Sequence, residues 1–391
     1  MKRVVVLGGG PAGSFAAERL ASAGLRTVLL DEKLAWEKPC GGGLTFKAYN
    51  QYPFLIENDT PKRLVTNTFL AAPLAGAVQM GLPRPLVIYS RYDLNHMLLQ
   101  RAEKAGAQLE KTRVLGLDRV SSGWTIRTQS GTIDADYCVV ATGARNPLRD
   151  VGTQWTAADT MSALGYYVPS QQEHIDIQFL PKLNGYIWVF PRAGHLSVGI
   201  CGKGEPAGSL RARLDRYMHE KGICNKDARF YSHMLPALEH SAWGRNRVAG
   251  AGWLAVGDAA GLVDPITGEG LYYAMRSGDL ASQVLLNDAH ACKAQAYAQL
   301  LRSDFAADLE YASTLAKHVF TGRFLFNTVP ARMVHFIRRS QRFRSLVQDL
   351  FAGTQPYLDL RERLFRNLNG SLQEIAANFF LSKIMPQRLT E

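Results

Sequence analysis

The apolar positions of this chain change their spacing along its length, and each change marks an element. Val4 to Leu7 is a short apolar run followed by glycines. Ala12 to Ala23 then has helical composition and stops at Gly24, a residue suited to the left-handed turn that closes a helix. Thr27 to Leu30 is a second short run, β-like in character. The three together predict a β-α-β unit of about 30 residues. Residues 45–90 hold several prolines and no steady period, and they read as irregular. Arg91 to Ala105 sets Leu94, Met97, Leu98 and Ala102 on one helical face. Ile133 to Val140 reads as one strand that runs into Ala141-Thr142-Gly143.

From Ala163 to Cys201 the period shortens to two. His174 to Phe179 alternates polar and apolar, Tyr186 to Phe190 nearly does, and Leu196 to Ile200 follows a turn. Antiparallel strands of a separate sheet are expected here. Trp253 to Val256 is a strand that feeds a glycine-rich turn and a helix from about Gly270. Beyond residue 290 the pattern is helical to the end, broken near Pro330 and Pro356. No repeat or low-complexity stretch interrupts it. The order predicts an α/β protein. A Rossmann-like nucleotide-binding domain is built from 1–70, 90–160 and 245–310. An antiparallel β domain for substrate is inserted from 71–89 and 161–244, and 311–391 forms a helical C-terminal region.

Three glycine motifs carry the candidate chemistry. Gly8-Gly9-Gly10-Pro11-Ala12-Gly13 is a G-x-G-x-x-G between a strand and a helix. Glycine at 8 suits the tight turn, at 10 it leaves room for a pyrophosphate, and at 13 it lets helix and strand touch. The helix N-terminus would offer N–H groups and partial positive charge to phosphates. Asp31 stands 18 residues past Gly13, at the end of the second strand. A carboxylate there would accept hydrogen bonds from a ribose; Glu32 and Lys33 follow it. Ala141, Thr142 and Gly143 end a strand in small residues that admit a dinucleotide. Gly257-Asp258-Ala259-Ala260-Gly261 would bring Asp258 to a ribityl hydroxyl or phosphate. Gly268 and Gly270 open a helix whose N-terminus suits the pyrimidine edge of a flavin, where charge builds on reduction. This combination points to FAD.

At this point the chain resembles the p-hydroxybenzoate hydroxylase-like flavoproteins, and more narrowly the geranylgeranyl reductase family. Two further stretches carry that likeness: Lys38-Pro39-Cys40-Gly41-Gly42-Gly43-Leu44, and Gly185-Tyr186-Ile187-Trp188-Val189-Phe190-Pro191 with its Y-x-W-x-F-P pattern. The likeness covers roughly residues 1–290. It implies reduced FAD, a hydrophobic isoprenoid substrate, and saturation of carbon–carbon double bonds in a geranylgeranyl-type chain. By the same resemblance Arg91 lies near FAD, and Cys40, Gly41 and Gly42 form a loop at the reactive face. That loop would press on the ring or hinge, and Cys40 would gate, relay a proton or sense redox state. Tyr186, Trp188 and Phe190 become a cavity wall. Many hydroxylases of this superfamily carry Asp-Gly where this chain has Thr142-Gly143. The electron donor is therefore left open between NAD(P)H and a ferredoxin-type protein partner. A flavin monooxygenase or halogenase is the competing expectation. A halogenase needs a lysine for the oxidised halogen, with Lys47 and Lys62 the nearest in sequence. A non-catalytic electron-transfer flavoprotein is the third.

Composition narrows the picture. The chain has 391 residues, 47% apolar and 20% charged, as in ordinary globular proteins of two or three domains. No apolar run reaches about 18 residues, so no spanning helix is expected. The opening residues superficially suggest a signal peptide, but their glycines are spaced for a nucleotide turn. A cytoplasmic location is expected. The five cysteines, 40, 138, 201, 224 and 292, lack metal-type spacing; reduced thiols and no metal are expected. The net charge of +11 favours acidic partners, and no nucleic-acid motif is present. From Thr314 onward twelve Lys/Arg face five Asp/Glu. Arg338, Arg339, Arg342 and Arg344 lie among Phe336, Ile337, Phe343, Leu346 and Val347. This basic amphipathic pattern suits an anionic membrane on its inner face, or else a helix packed on the domain. If the membrane reading holds, binding to anionic vesicles should weaken as salt rises. Equal binding to neutral vesicles at every salt level would defeat it.

Overall fold

The computed structural model describes residues 2–121, 123–148, 151–324 and 326–366. Strand Arg3–Leu7 lies near the middle of a six-stranded sheet. It pairs in parallel with Arg26–Asp31 on one side and Tyr137–Val140 on the other. Gln108–Lys111 and Trp253–Ala255 extend the sheet in parallel, and Ala249–Gly250 closes it antiparallel. Val4 to Leu7 and Cys138 to Val140 are buried throughout, as strands covered on both faces must be. Helices Pro11–Ser22, Arg91–Lys104 and Leu271–Leu286 supply one cover. The first and third touch closely because a Cβ at Gly278 would meet the Ala12 carbonyl oxygen at 2.5 Å.

The stretch 133–140, expected as one strand, is two. Gly131–Ala135 belongs to a small three-stranded meander with Val114–Val120 and Gly123–Thr128. The chain turns at Asp136, whose carboxylate accepts the Arg3 N–H at 2.6 Å, and then enters the parallel sheet.

The second large sheet has eight strands. Its order is Arg229–Pro236, Thr160–Val168, Leu196–Gly202, Gly185–Pro191, Ile175–Phe179, Lys62–Ala72, Gly76–Tyr89 and Gly43–Leu44. All neighbours are antiparallel except Ile175–Phe179 with Lys62–Ala72. Residues 45–90 are therefore not irregular: they hold the long hairpin 62–89, and the domain limit expected at residue 70 falls inside a strand. The prolines misled because Pro83 and Pro85 lie where the register shifts between Val65 and Asn67. In such a bulge their missing N–H groups break no ladder.

Alternation divides the sheet's faces. Ile187 and Val189 pack with Leu210, Leu214, Tyr217 and Met218 of helix Ala207–Glu220. Tyr186, Trp188 and Phe190 take the opposite face, toward the C-terminal helices. Those helices are Val329–Arg339, opened by Pro330 in its first turn, and Gln341–Ala352. Ile337, Leu346 and Val347 are buried and belong to the same cluster as Trp188, with Phe336 and Phe343 close by. The apolar face that the pattern offered to a bilayer is thus turned inward, while Arg338 donates to the Ala75 and Ala77 carbonyls. Lys383, Arg388, Glu374 and Glu391, counted in the tail charge, lie outside the described residues. Among the described residues no helix is long and apolar enough to cross a membrane.

Gly199 lies flat under the Trp188 indole, where a Cβ would overlap the ring. Gly199→Val should lower stability in urea by about 1–3 kcal/mol through overpacking. An unchanged midpoint would show that Trp188 is free to shift.

Candidate active site

The first glycine turn is built as its spacing requires. Gly8 has φ +116°, and a Cβ there would overlap the Ala141 carbonyl. A Cβ at Gly13 would overlap the Gly8 carbonyl. Gly10 differs: nothing lies within 4 Å of its Cβ position, and it lines a cavity with Pro11 and Ala12 of the helix start. Asp31 is held facing the turn. Its Oδ2 accepts the Gly9 N–H at 2.7 Å, and its Oδ1 accepts those of Lys33 and Leu34. Glu32 and Lys33 are exposed and do not line the cavity; Lys33 covers the Trp36 ring instead.

The cavity has a volume of about 890 Å³. Ala141, Gly143, Asp258, Gly268 and Gly270 line its dinucleotide end. Thr142 is turned to Asn146 at 3.2 Å, and the Gly257 N–H is bound by Ser277. Gly257 and Gly268 both have positive φ, at +59° and +71°, so their turns need glycine. Arg91 is buried and lines the same end, and its Nε has no partner among the described residues. Its guanidinium otherwise reaches Asn95 Oδ1 at 3.4 Å, and a buried cation lining a cavity suits an anionic group such as a pyrophosphate. Asp258 pairs with Lys38 at 3.3 Å. Burial would push the Asp258 carboxyl up, but Lys38, His233 and Arg91 together hold it below the usual range. His233 also lines this end. Burial and Lys38 push its imidazole down to about 4, and its Nε2 has no partner among the described residues.

The Cys40 loop depends on a residue that the sequence did not single out. Arg192 follows Pro191, and its side chain is fully buried. It pairs with Glu37, donates to the Cys40 carbonyl, and reaches the Gly41 carbonyl at 3.4 Å. Ser197 Oγ also donates to the Cys40 carbonyl, at 3.0 Å. Burial alone would raise the Glu37 carboxyl; Arg192 and the N–H groups of Arg91 and Tyr92 hold it low. The glycines serve packing more than hinging. Gly41 and Gly43 lie against the Phe190 ring, where Cβ atoms would come within 2.8 and 3.1 Å. Gly42 has φ +86°, and a Cβ there would overlap the Tyr89 carbonyl. Cys40 lines the cavity, its Sγ accepting the Gly42 N–H at 3.3 Å.

Away from that end the walls are apolar. Tyr186, Trp188, Phe190 and Phe179 come from the eight-stranded sheet, and Phe343, Leu346 and Phe351 from the C-terminal helix. Arg323, Arg332 and Arg361 line it with the exposed Phe324, Leu364 and Phe365, which places an opening there. Neither Lys47 nor Lys62 lines this cavity. Lys47 covers the Tyr272 ring and Lys62 binds Asn58.

Comparison with known proteins fits this geometry. The sequence profile of the pyridine nucleotide-disulphide oxidoreductase family matches residues 2–163. The chloroplastic geranylgeranyl diphosphate reductase of Oryza sativa subsp. japonica is 30% identical over 321 residues, 73% of this chain and 66% of that enzyme's length. This chain is an FAD-dependent oxidoreductase, similar in sequence to the geranylgeranyl reductases. The menaquinone reductase of Mycolicibacterium smegmatis is 28% identical to the oxidoreductase over 84% of this chain and 87% of its own. Two solved structures share its fold. A geranylgeranyl bacteriochlorophyll reductase-like protein from Thermoplasma acidophilum has TM-score 0.76 at 24% identity, over 93% of this chain and 98% of its own. The flavin-dependent brominase Bmp2 has TM-score 0.70 at 16% identity, over 94% and 99%.

The residues fit FAD: an open glycine, a helix start and an unfilled buried arginine meet at one end of a deep cavity. Gly10→Val should fold, because its Cβ meets nothing, yet purify colourless. Gly13→Val should fail to fold. Yellow, FAD-saturated Gly10→Val protein would move the cofactor away from this turn.

Proposed function

We propose that this oxidoreductase saturates carbon–carbon double bonds in a prenyl chain of geranylgeranyl type, carried by a lipid, quinone or pigment. The observation that carries the reading is the apolar cavity, which runs from the glycine motifs to an opening among arginines and exposed aromatics. Reduced FAD would supply the hydride. Gly10, Pro11 and Ala12 would hold the pyrophosphate, with Arg91 as its cation and Asp31 at the ribose. Asp258, oriented by Lys38, would meet the ribityl chain. The helix start at Gly268–Gly270 would face the flavin. Tyr186 and Trp188 would flatten the prenyl chain against the ring in a dry site, where alignment does much of the catalytic work. Cys40, fixed through its carbonyl, would shape the reactive face. An anionic head group would rest at Arg323 and Arg361 while the chain enters past Phe324 and Phe365. On this reading the protein would work at the inner face of the membrane. NAD(P)H or a ferredoxin-type protein partner would reduce the flavin.

The brominase likeness in fold favours one other reading, a flavin monooxygenase or halogenase. Against it, Lys47 and Lys62 stand outside the cavity, and Lys38 is committed to Asp258. The test is anaerobic. The protein is reduced with dithionite and mixed with geranylgeranyl lipids and quinones, and products are weighed by mass spectrometry. Products heavier by pairs of hydrogen, formed as the flavin reoxidises, are expected. An inert panel, with oxygen-dependent turnover of an aromatic substrate, would replace the reductase with the oxygenase.

A further inference from the structure

Saturating an alkene needs a proton as well as a hydride, and the cavity restricts where the proton comes from. Near the dinucleotide end, Asp258 is held ionised by Lys38. His233 is held neutral. The Tyr186 hydroxyl donates to the Thr267 carbonyl, and burial pushes it well above 10. Burial pushes the Cys201 thiol up to about 12. Among the described residues, no carboxyl or imidazole is hydrogen-bonded to Cys40 to return a proton to it.

Glu269 has what these lack. It lines the cavity between Gly268 and Gly270, and its carboxyl accepts a hydrogen bond from Thr45 Oγ1 at 3.1 Å. It also lines a second, polar cavity of about 90 Å³, roomy enough for water. Lys47, Asp264, Asp304, Asp308, Tyr273 and Tyr357 line that cavity with it. Asp304 is exposed and Asp308 half-buried, so the polar cavity borders solvent. Glu269 and Tyr357 belong to both cavities.

We propose that Glu269 is the acid that protonates the alkene, and that the carboxylate-lined side cavity returns its proton from solvent. The inference rests on the prenyl-reductase reading. Glu269 gives its proton to one alkene carbon while the hydride supplied by reduced FAD bonds to the other. The π pair becomes the new C–H bond at the protonated carbon. The flavin is left oxidised by two electrons, and the Glu269 carboxylate regains a proton through the side cavity.

The charges around Glu269 support a proton held near neutrality. Burial and the Asp264 charge raise it, and Thr45 and Lys47 lower it, leaving it at about 7. Asp304 and Asp308, the Tyr272, Tyr273 and Tyr357 hydroxyls, the Tyr186 hydroxyl beside Gly268, and Asp258 beyond Gly270 are the other charged and titratable groups around it among the described residues. A carboxyl raised above its unfolded value of 4.5 contributes stability that is full below 4.5. That stability is lost as pH rises through about 7.

Two readouts test this on FAD-loaded protein, using Glu269→Gln and Glu269→Asp. The first needs no substrate. Melting temperatures of wild type and Glu269→Gln should draw apart as pH rises from 4.5 through about 7, to the variant's advantage. A difference that ignores pH would overturn the proposal. The second is anaerobic reoxidation of dithionite-reduced protein by a prenyl quinone. Wild-type rates should fall as pH passes about 7. Glu269→Gln should lose about 100-fold or more and the inflection with it, and Glu269→Asp should recover part. A Glu269→Gln rate equal to wild type would overturn the proposal. Wild-type protein inert to prenyl substrates, with the melting pattern intact, would overturn prenyl reduction itself and with it the alkene as proton acceptor.

Discussion

A buried guanidinium is costly unless its donors are filled. Arg192 fills them with the Glu37 carboxylate and the carbonyls of Cys40 and Gly41. The rest of the site is arranged around that cluster. Glu37 also accepts the first N–H groups of the helix that carries Arg91. Arg192 itself directly follows the strand that carries Tyr186, Trp188 and Phe190. One ion pair thus ties together the helix of the dinucleotide site, the glycine loop and the aromatic wall. Each part alone would have freedom to move. Joined, they set the separation between the cofactor end of the cavity and its apolar wall.

The two ends of the cavity follow opposite physical rules. The dinucleotide end concentrates charge and backbone donors: Arg91, Lys38, Asp258 and the helix start at Gly270. Between that end and the arginine-rimmed opening the walls are aromatic and aliphatic, and they would keep water from the place where a prenyl chain would lie. Electrostatic interactions strengthen in such a dry setting, so the few polar groups that border it count for more than their number. Glu269 sits at that border, with an apolar cavity on one side and a polar one on the other.

The parts of this architecture legible in the sequence were those where local sterics dictate residue type. Gly8 and Gly13 had to be glycine because backbone carbonyls occupy the Cβ positions, and Gly10 because the space must stay open. The alternation of Tyr186, Trp188 and Phe190 gave a wall because strand side chains alternate faces. The illegible parts were matters of long-range pairing. Glu37 and Arg192 lie 155 residues apart, and nothing local to either names the other. The hairpin 62–89 was hidden because prolines in a bulge resemble prolines in a loop. The amphipathic pattern from Phe336 to Val347 fixed which side of the helices is apolar. It could not say whether a bilayer or a cavity would cover that side.

The division of the cavity between chain segments also separates two properties of the protein. The groups at the cofactor end come from the glycine motifs and the start of helix Leu271–Leu286. The far walls come largely from helices Val329–Arg339 and Gln341–Ala352 and the residues after them. The glycine motifs that would recognise the flavin and the helical walls at the far end of the chamber are therefore written in different stretches of sequence. Drift in the C-terminal helices can lengthen, shorten or reshape the chamber without disturbing the nucleotide fold. A lineage carrying this architecture can acquire new substrates by revising helices Val329–Arg339 and Gln341–Ala352, while its flavin site passes unchanged from one descendant to the next.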